Sequence, residues 1–236
     1  MKYIAFLREI RRGMKLGRRL PPAKFLISNV PRWVDFQKSK DVFIRKTPWL
    51  TFSAIDYLNS YLTPQMKVFE FGGGGSTLYF LERTAEVVTV EHHEEWYDAL
   101  KKKIEGRYTS KWNGNFVQPD SQTSLGRQIG DPDEYFSDDP LYENQTFRTY
   151  ASFIDKFPDE YFDVVLIDGR ARPSCLKHSL SKVRLNGLLI LDNAERHYYL
   201  DWIDGQLDNY TLMQDWFGPT PYSQWFSQTN IWQRVH

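Results

Sequence analysis

The residues that could carry chemistry begin at four consecutive glycines. The segment KVFEFGGGGSTLYF joins an apolar β-type run to glycines 72–75 and then to a helix start. Glycine permits backbone angles closed to other residues, so a ligand can approach the main chain. Ser76 or Thr77 can cap a helix that begins at Leu78, and the free N–H groups there favour a carboxylate or phosphate. The pattern predicts a site for a nucleotide-like cofactor.

One acidic residue follows at a spacing typical of cofactor folds. EVVTVE indicates a second strand that ends at Glu91, 21 residues after Glu70. Doubly wound folds place a carboxylate at about this distance on the ribose hydroxyls. The alternative is an acid that only solubilises the end of a strand. The third glycine of the dinucleotide fingerprint is missing, and the absence of a Gly-Lys-Ser/Thr sequence argues against a P-loop NTPase.

Oxygen-bearing side chains end two later strands. The apolar run at 164–167 stops at Asp168, and the run at 188–191 stops at Asp192 and Asn193. Parallel neighbours would bring these side chains to one rim of the sheet. Three oxygen ligands with room for water and substrate suit Mg²⁺ or Ca²⁺. The alternative, without metal, is that Asp168 caps its loop while the other two residues form a turn.

Charged and imidazole side chains lie near the same predicted rim. Arg170 and Arg172 could bind a carboxylate, phosphate or sulfate of a substrate, or pair with Glu195 and other rim acids. His92 and His93 follow the second strand directly. Adjacent residues leave a strand in opposite directions, so we expect them to line the cofactor pocket and begin a helix rather than form a metal cluster.

The glycine segment resembles the first motif of the class I S-adenosylmethionine-dependent methyltransferases, which is an acidic residue, any residue, Gly, any residue, Gly at a strand-turn-helix junction. Together with FDVVLIDGRARPSC and LLILDNAER, the resemblance covers roughly residue 47 to the C-terminus. It implies S-adenosylmethionine rather than NAD. It also implies an α/β, Rossmann-like, doubly wound and mostly parallel seven-stranded sheet with an antiparallel C-terminal strand pair. The residues expected at the cofactor are Glu70, Gly72, Gly73, Gly74, Ser76, Glu91, His92 and Asp120.

The Asp and Asp-Asn strand ends resemble the metal site of catechol O-methyltransferase-like enzymes, where the three side chains and two substrate oxygens hold the ion. A metal would lower the pKa of a substrate hydroxyl and fix its oxygen in line with the sulfonium methyl group. Those enzymes carry a lysine where this chain has Ala171. The candidate bases are therefore His197 and, second, His178. Asp168, Arg170 and His197 form the expected catalytic set.

The N-terminal region carries a strong excess of basic charge. Residues 1–47 hold 13 Lys or Arg and 3 Asp or Glu, although the whole chain has a net charge of 0. MKYIAFLREIRRGMKLGRRL predicts a basic amphipathic helix. Its apolar stripe consists of Ile4, Leu7, Ile10 and Met14. Such a helix could dock on its own domain or on a dimer mate, or lie on an anionic membrane. Binding to nucleic acid is the alternative that the sequence favours least.

Length and composition fit one catalytic domain with an extension. The chain has 236 residues, of which 41% are hydrophobic, and can build one core. We expect a basic helical extension and linker at 1–46 and a methyltransferase domain at 47–236. The linker is predicted from Pro21, Pro22 and Pro31. A lone cysteine, Cys175, and the lack of a long apolar run favour a cytoplasmic protein, with the basic helix available to contact the inner membrane.

The remaining segments complete the expected domain. The third strand is predicted at 115–120, and the C-terminal pair at 211–216 and 229–235. Residues 121–144 are rich in Asp, Gly, Pro and Ser and predict an insertion, either a mobile lid or a disordered loop. Aromatic side chains near the C-terminus could belong to the core, an oligomer contact or an acceptor pocket: Trp216, Phe217, Tyr222, Trp225 and Phe226.

The predicted function is methyl transfer from S-adenosylmethionine to a small-molecule or sugar hydroxyl, assisted by a divalent metal. The alternatives are an NAD(P)-dependent Rossmann oxidoreductase or sugar-modifying enzyme, and a protein that binds the cofactor without catalysis. An N-methyltransferase of nucleic acid or glutamine would carry Asn/Asp-Pro-Pro-aromatic where this chain has Asp-Gly-Arg-Ala. Nucleic acid is not an expected partner, because the excess of positive charge is concentrated before residue 48. A homo-oligomer is left open.

Overall fold

The structure is a computed structural model that describes residues 2–39, 41–121 and 128–236. Its α-helices are α1 (Lys2–Lys15), α2 (Ala23–Phe36), α3 (Val42–Arg45), α4 (Phe52–Tyr61), α5 (Gly75–Leu81), α6 (Glu94–Ile104), α7 (Arg148–Ala151) and α8 (Arg172–Ser179). Its strands are β1 (Lys67–Phe71), β2 (Glu86–Glu91), β3 (Trp112–Phe116), β4 (Asp120–Ser121), β5 (Gln145–Thr146), β6 (Phe162–Ile167), β7 (Val183–Asp192), β8 (Tyr210–Gln214), β9 (Phe217–Pro219) and β10 (Phe226–Arg234).

The central sheet has a mostly parallel order that reverses at β1. Seven strands follow the order β3-β2-β1-β6-β7-β10-β8, and the short β9 pairs with β10. The first five are parallel, whereas β10 runs antiparallel to β7 and β8. Phe71 aligns with Val90 of β2 and Ile167 of β6, so three strand ends meet at one edge. This topology confirms the predicted fold class, and the crevice at the reversal is where such sheets bind ligands.

Both faces of the sheet are covered by apolar layers. Every residue of β6 is buried, as expected for a parallel strand between two layers. Side chains alternate between the faces: Val68 belongs to the cluster that includes α1, α2 and α4, whereas Phe69 and Phe71 belong to the cluster that includes α7 and α8. Cys175 is fully buried in the second cluster. The sheet is thus held rigidly beneath its rim.

The N-terminal helix α1 packs against α2 and against β10 of the central sheet. The Phe6 ring lies edge-on to Trp33 and Phe226, with centroid distances of 5.3 Å and 5.0 Å. The buried Glu9 carboxylate accepts hydrogen bonds from the Phe226 amide at 3.0 Å and from Arg12 at 2.8 Å. Most of the predicted apolar stripe is exposed, namely Ile4, Leu7 and Met14. Contact of this outer face with a membrane stays a prediction.

Several predicted boundaries are wrong. Pro31 does not end a helix but lies inside α2. A proline removes one helical hydrogen bond at a cost of about 3 kcal/mol. Complete burial of a large side chain such as that of Trp33, together with Leu26 and Phe36, offsets this cost. Helix α5 begins at Gly75 rather than at residue 78, because Gly74 is its N-cap.

The region after β2 also differs from expectation. The third strand is β3, three residues earlier than predicted, while Asp120 lies in the separate β4–β5 pair. Residues 122–127 of the predicted insertion lie outside the described residues. In the described remainder, Tyr135 and Phe136 are buried, so this part packs against the domain. Across 2–39, 41–121 and 128–236, no helix combines the length and hydrophobicity needed to span a bilayer.

Candidate active site

The β1–α5 turn requires glycine because backbones approach it closely. Gly72 has a φ of +89°, and a Cβ atom there would lie 3.1 Å from the Gly169 Cα atom. A Cβ at Gly75 would lie 2.6 Å from the Thr47 carbonyl oxygen. The turn is therefore pressed between the loop after β6 and the segment before α4, and its main chain forms part of the crevice wall.

Glu70 holds this turn from behind. Its carboxylate is fully buried and accepts hydrogen bonds from the hydroxyls of Ser76 at 2.8 Å, Thr89 at 2.8 Å and Thr77. Burial raises the pKa of Glu70 to about 7, against the lowering effect of these hydroxyl donors. Glu70 thus ties β1, β2 and the first turn of α5 together.

Glu91 is the buried carboxylate on the open side of the turn. It accepts hydrogen bonds from the backbone amides of Gly73 at 2.9 Å and of His92 and His93 at 2.8 Å. Burial acts to raise the pKa of Glu91, but the His92 side chain and these amides outweigh burial, so the pKa is lowered. Glu91 is therefore an ionised group fixed at the end of β2.

Arg170 continues this arrangement across the crevice. Its Nε donates to His92 Nε2 at 3.3 Å, which assigns the imidazole proton to Nδ1, 3.0 Å from Glu91 Oε1. The guanidinium also pairs with Asp139 at 2.9 Å. Arg170 is therefore already paired with one acid and one imidazole of the protein, as the ion-pair interpretation of the sequence expected, although the acid is Asp139 rather than Glu195.

Arg172 bridges the two strand-end aspartates. Its Nη2 lies 3.0 Å from Asp168 Oδ1, and its Nη1 lies 3.9 Å from Asp192 Oδ2 and donates to the Asp192 carbonyl oxygen. Burial raises the pKa of Asp168 to about 6 although Arg172 lowers it. Burial and the neighbouring Asp168 charge raise the pKa of Asp192 well above its usual range.

The predicted metal ligands do not fit a divalent ion. The Arg172 guanidinium supplies the positive charge between Asp168 and Asp192, while Asp192 Oδ1 also accepts from the Thr229 hydroxyl at 2.8 Å. Asn193 donates its amide to the Ser227 hydroxyl at 2.8 Å. No cluster of three His, Cys, Asp or Glu side chains suited to a metal occurs in the described chain. The contacts therefore favour an ion pair with Arg172 over a metal ion at this set, and metal binding there stays a prediction.

Two adjoining cavities open at this rim. The loop cavity, of about 220 Å³, is walled by the glycine turn, Glu91 and His92. The rim cavity, of about 610 Å³, lies between Asp168, Asn193 and Trp225. Both cavities are lined by Trp49, Trp96, Asp168, Arg170 and Arg172. A further depression of about 440 Å³ at the ends of β2 and β3 shares His92 with the loop cavity.

Comparison with solved structures identifies this architecture. No family model matches the chain, and no curated protein matches its sequence. A candidate methyltransferase from Streptococcus mutans in complex with SAH is 10% identical, with a TM-score of 0.52 over 84% of this chain and 99% of that chain. A candidate rRNA methylase from Clostridium thermocellum is 10% identical, with a TM-score of 0.54 over 80% and 98%. An O-methyltransferase from Bacillus cereus in complex with SAH is 13% identical, with a TM-score of 0.50 over 98% and 90%.

The chain has the class I methyltransferase fold. TM-scores of 0.50–0.54 show the fold, and sequence identities of 10–13% leave the substrate open. The class I methyltransferase fold brings most of the predicted cofactor residues to the wall of one cavity. The residues that line the loop cavity are Gly72, Gly73, Gly74, Ser76, Glu91 and His92. Asp168 and Arg170 line both cavities.

Other predicted residues lie elsewhere in the class I methyltransferase fold. Glu70 is behind the turn and does not line the loop cavity, because its carboxylate is enclosed by three hydroxyls. Asp120 faces α7, where it accepts from the Thr149 amide at 2.9 Å and the Thr149 hydroxyl at 2.6 Å. Their expected direct contacts with a cofactor are therefore corrected to structural roles.

Neither candidate histidine base reaches the cavities. His197 is exposed, and its Nε2 lies 2.9 Å from the Arg18 guanidinium. His178 lies on α8, between Asp155 at 2.7 Å and the Tyr135 hydroxyl at 3.1 Å. The base assignment to His197 is wrong because the chain turns into a short 3₁₀ helix after β7 and directs this residue to the N-terminal extension.

Sequence reasoning missed Trp96. Its indole N–H donates to the Gly73 carbonyl at 2.6 Å, and its ring lies 4.9 Å from that of Phe43. Trp96 precedes Leu100 and Ile104 by four and eight residues, so its spacing places it on the apolar face of α6 and favours a core position. The exposure of its ring at the end of the helix, 38%, is visible only in the structure.

Proposed function

We propose that the protein is an S-adenosylmethionine-dependent methyltransferase that methylates a hydroxyl group of a small molecule. The observation that carries this proposal is the shared wall of the loop cavity and the rim cavity, which includes Asp168 and Arg170. A donor in one cavity and an acceptor in the other would meet at that wall. The class I methyltransferase fold, and the SAH present in two of the similar structures, support this choice of donor.

The residues of the loop cavity suit this cofactor. Glycines 72–74 present main chain without side chains, and the buried, ionised Glu91 offers carboxylate oxygens to ribose hydroxyls. The Trp96 indole lies over the turn, 3.5 Å from where a Cβ of Gly74 would be. When bound, S-adenosylmethionine supplies an electrophilic methyl group on a positively charged sulfur. The chain must therefore position an acceptor oxygen and remove its proton.

Asp168 is our candidate for the proton acceptor. Among the described residues it is the one carboxylate that lines both cavities, and 23% of its side chain is exposed. A pKa raised to about 6 leaves it mostly ionised at neutral pH while keeping it a stronger base than an ordinary aspartate. Arg172 fixes its Oδ1 oxygen. Asp168 would take the hydroxyl proton as the oxygen becomes methylated, and Arg172 would keep the carboxylate oriented.

Binding and turnover experiments test the proposal. Calorimetric titration should show binding of S-adenosylmethionine and none of NAD⁺. Asp168→Asn should keep the affinity for S-adenosylmethionine within about threefold and abolish methyl transfer, since general bases contribute about 10²–10⁴ in rate. Glu91→Gln, in contrast, should weaken cofactor binding. Binding of NAD⁺ in place of S-adenosylmethionine would instead favour an oxidoreductase, and cofactor binding without turnover on any acceptor would favour a binding protein.

A further inference from the structure

The exposed tryptophans of this protein converge on one cavity. Of the eight tryptophans in the sequence, three are exposed: Trp49 by 49%, Trp96 by 38% and Trp225 by 56%. All three line the rim cavity. Tryptophan is highly buried on average, so exposed indole rings concentrated at one cavity mark a ligand-binding surface rather than general exposure.

Each of these rings is held in place by a neighbour outside the cavity wall. The Arg8 guanidinium lies 5.0 Å from the Trp225 ring centroid, in a cation–π contact from α1. The Trp49 ring meets the buried Tyr222 ring edge-on at 5.6 Å. Trp96 is fixed by the hydrogen bond to the glycine turn. Aromatic surfaces that are already fixed lose little conformational entropy when a ligand stacks on them.

The rest of the rim cavity is polar. Ten of its fourteen lining residues are polar or charged, and they include Asn193, Glu195, Thr220, Ser223 and Ser227. Several of these side chains already bond one another, as Asn193 does to Ser227 and Ser227 to Glu195, but a carboxylate, an amide or a hydroxyl has further donor or acceptor positions, which a simple phenol would leave unused. A ring with several hydroxyl groups along its edge would pair with them.

We infer that the acceptor is a carbohydrate, whose pyranose ring stacks on Trp225 and whose hydroxyls bind the polar wall near Asp168. This inference rests on the proposed methyltransferase function. The C–H groups on one face of a sugar ring carry slight positive charge and suit the negative face of an indole. The hydroxyls at the ring edge suit carboxylates, amides and hydroxyls. The rim cavity offers both kinds of surface at once.

Transfer of labelled methyl groups from S-adenosylmethionine tests the inference directly. The acceptor panel contains methyl glycosides of glucose, mannose, rhamnose, fucose and glucuronic acid, with catechol as the phenolic comparison. We expect transfer to at least one glycoside and none to catechol. Trp225→Ala should raise the KM for that glycoside about tenfold, whereas Trp225→Phe, which keeps a stacking ring, should raise it less.

Controls separate this inference from the proposed function. Trp216→Ala is the matched control, because Trp216 packs against Phe25 at 6.2 Å and does not line the rim cavity. The control should leave the KM unchanged, and both Trp225 variants should bind S-adenosylmethionine as the wild type does. Transfer to catechol, or to none of the glycosides by a protein that binds S-adenosylmethionine, would overturn the carbohydrate inference alone. Loss of S-adenosylmethionine binding by the wild type would overturn the proposed function as well.

Discussion

Replacement of Glu70 by glutamine should change how stability depends on pH. The Glu70 carboxyl is fully buried at the end of β1, and its pKa is raised from 4.5 to about 7. In the pH range between these values the folded protein keeps the proton and the unfolded chain releases it. The stability contributed by the protonated carboxyl is complete below pH 4.5 and is lost as the pH rises towards 7.

The magnitude follows from the size of the shift. Each pKa unit corresponds to about 1.4 kcal/mol, so the wild type should lose about 2 to 3 kcal/mol between pH 5 and pH 8 through Glu70. Glutamine has nearly the same shape and does not titrate, so Glu70→Gln should not have this loss. The free energy of unfolding of the variant, minus that of the wild type, should rise by about 2 to 3 kcal/mol across this range.

Urea unfolding at half-unit steps from pH 5 to pH 8 measures this difference, because all other titrating groups cancel between variant and wild type. Glu91→Gln is the matched control, since Glu91 is also a buried glutamate at a strand end but has a lowered pKa. Its stabilisation is complete above pH 4.5 and is lost only as the pH falls further. The control difference should therefore stay flat from pH 5 to pH 8. Parallel curves for Glu70→Gln and the wild type would refute our description of the buried carboxyl.

Four further predictions concern the cavities. In the wild type, kcat/KM should rise with pH through about 6 as Asp168 ionises, and an acceptor titration that shows no such rise would contradict its role as base. Arg172→Met removes the cation beside Asp168 and should therefore raise the pKa of the Asp168 carboxyl. The pH profile of kcat/KM should move to higher pH by about one unit or more. A profile that does not move would count against the ion pair. Turnover should be unchanged by a chelator or by added Mg²⁺, and a loss with the chelator would restore the metal hypothesis. Trp96→Phe loses the hydrogen bond to the Gly73 carbonyl, so calorimetry should show a Kd for S-adenosylmethionine about fivefold higher than that of the wild type. Equal affinities of variant and wild type would contradict a role for this bond in cofactor binding.

The sequence predicted the strands and their ends because those signals are local. An apolar run that stops at glycine or at an acid indicates a buried strand and its carboxyl end, and β1, β2, β6 and β7 all follow this rule. Once the strands are parallel neighbours, the positions of Glu91 and Asp168 on one rim follow from topology. The rim positions of Glu91 and Asp168 could therefore be predicted, whereas the enclosed position of Glu70 and the place of Trp96 at the turn could not.

The remaining features depend on contacts between distant parts of the chain. Pro31 is tolerated in α2 only because the helix buries Trp33 against the domain, which no local propensity expresses. The partner of His197 is Arg18, 179 residues away. The Asp168–Arg172 spacing of four residues hinted at an ion pair, but the placement of the guanidinium beside Asp192 required the β6–β7 pairing in three dimensions.

The contact between Arg8 and Trp225 joins opposite ends of the chain at the rim cavity. The glycine turn, Glu91 and Trp96, in contrast, lie within residues 72–96. Under the proposed function, acceptor choice and donor binding would be encoded in largely separate stretches of sequence. Exchange of the N-terminal helix, or of the turn that carries Trp225, offers evolution and protein engineering a way to alter the acceptor while leaving the donor half intact.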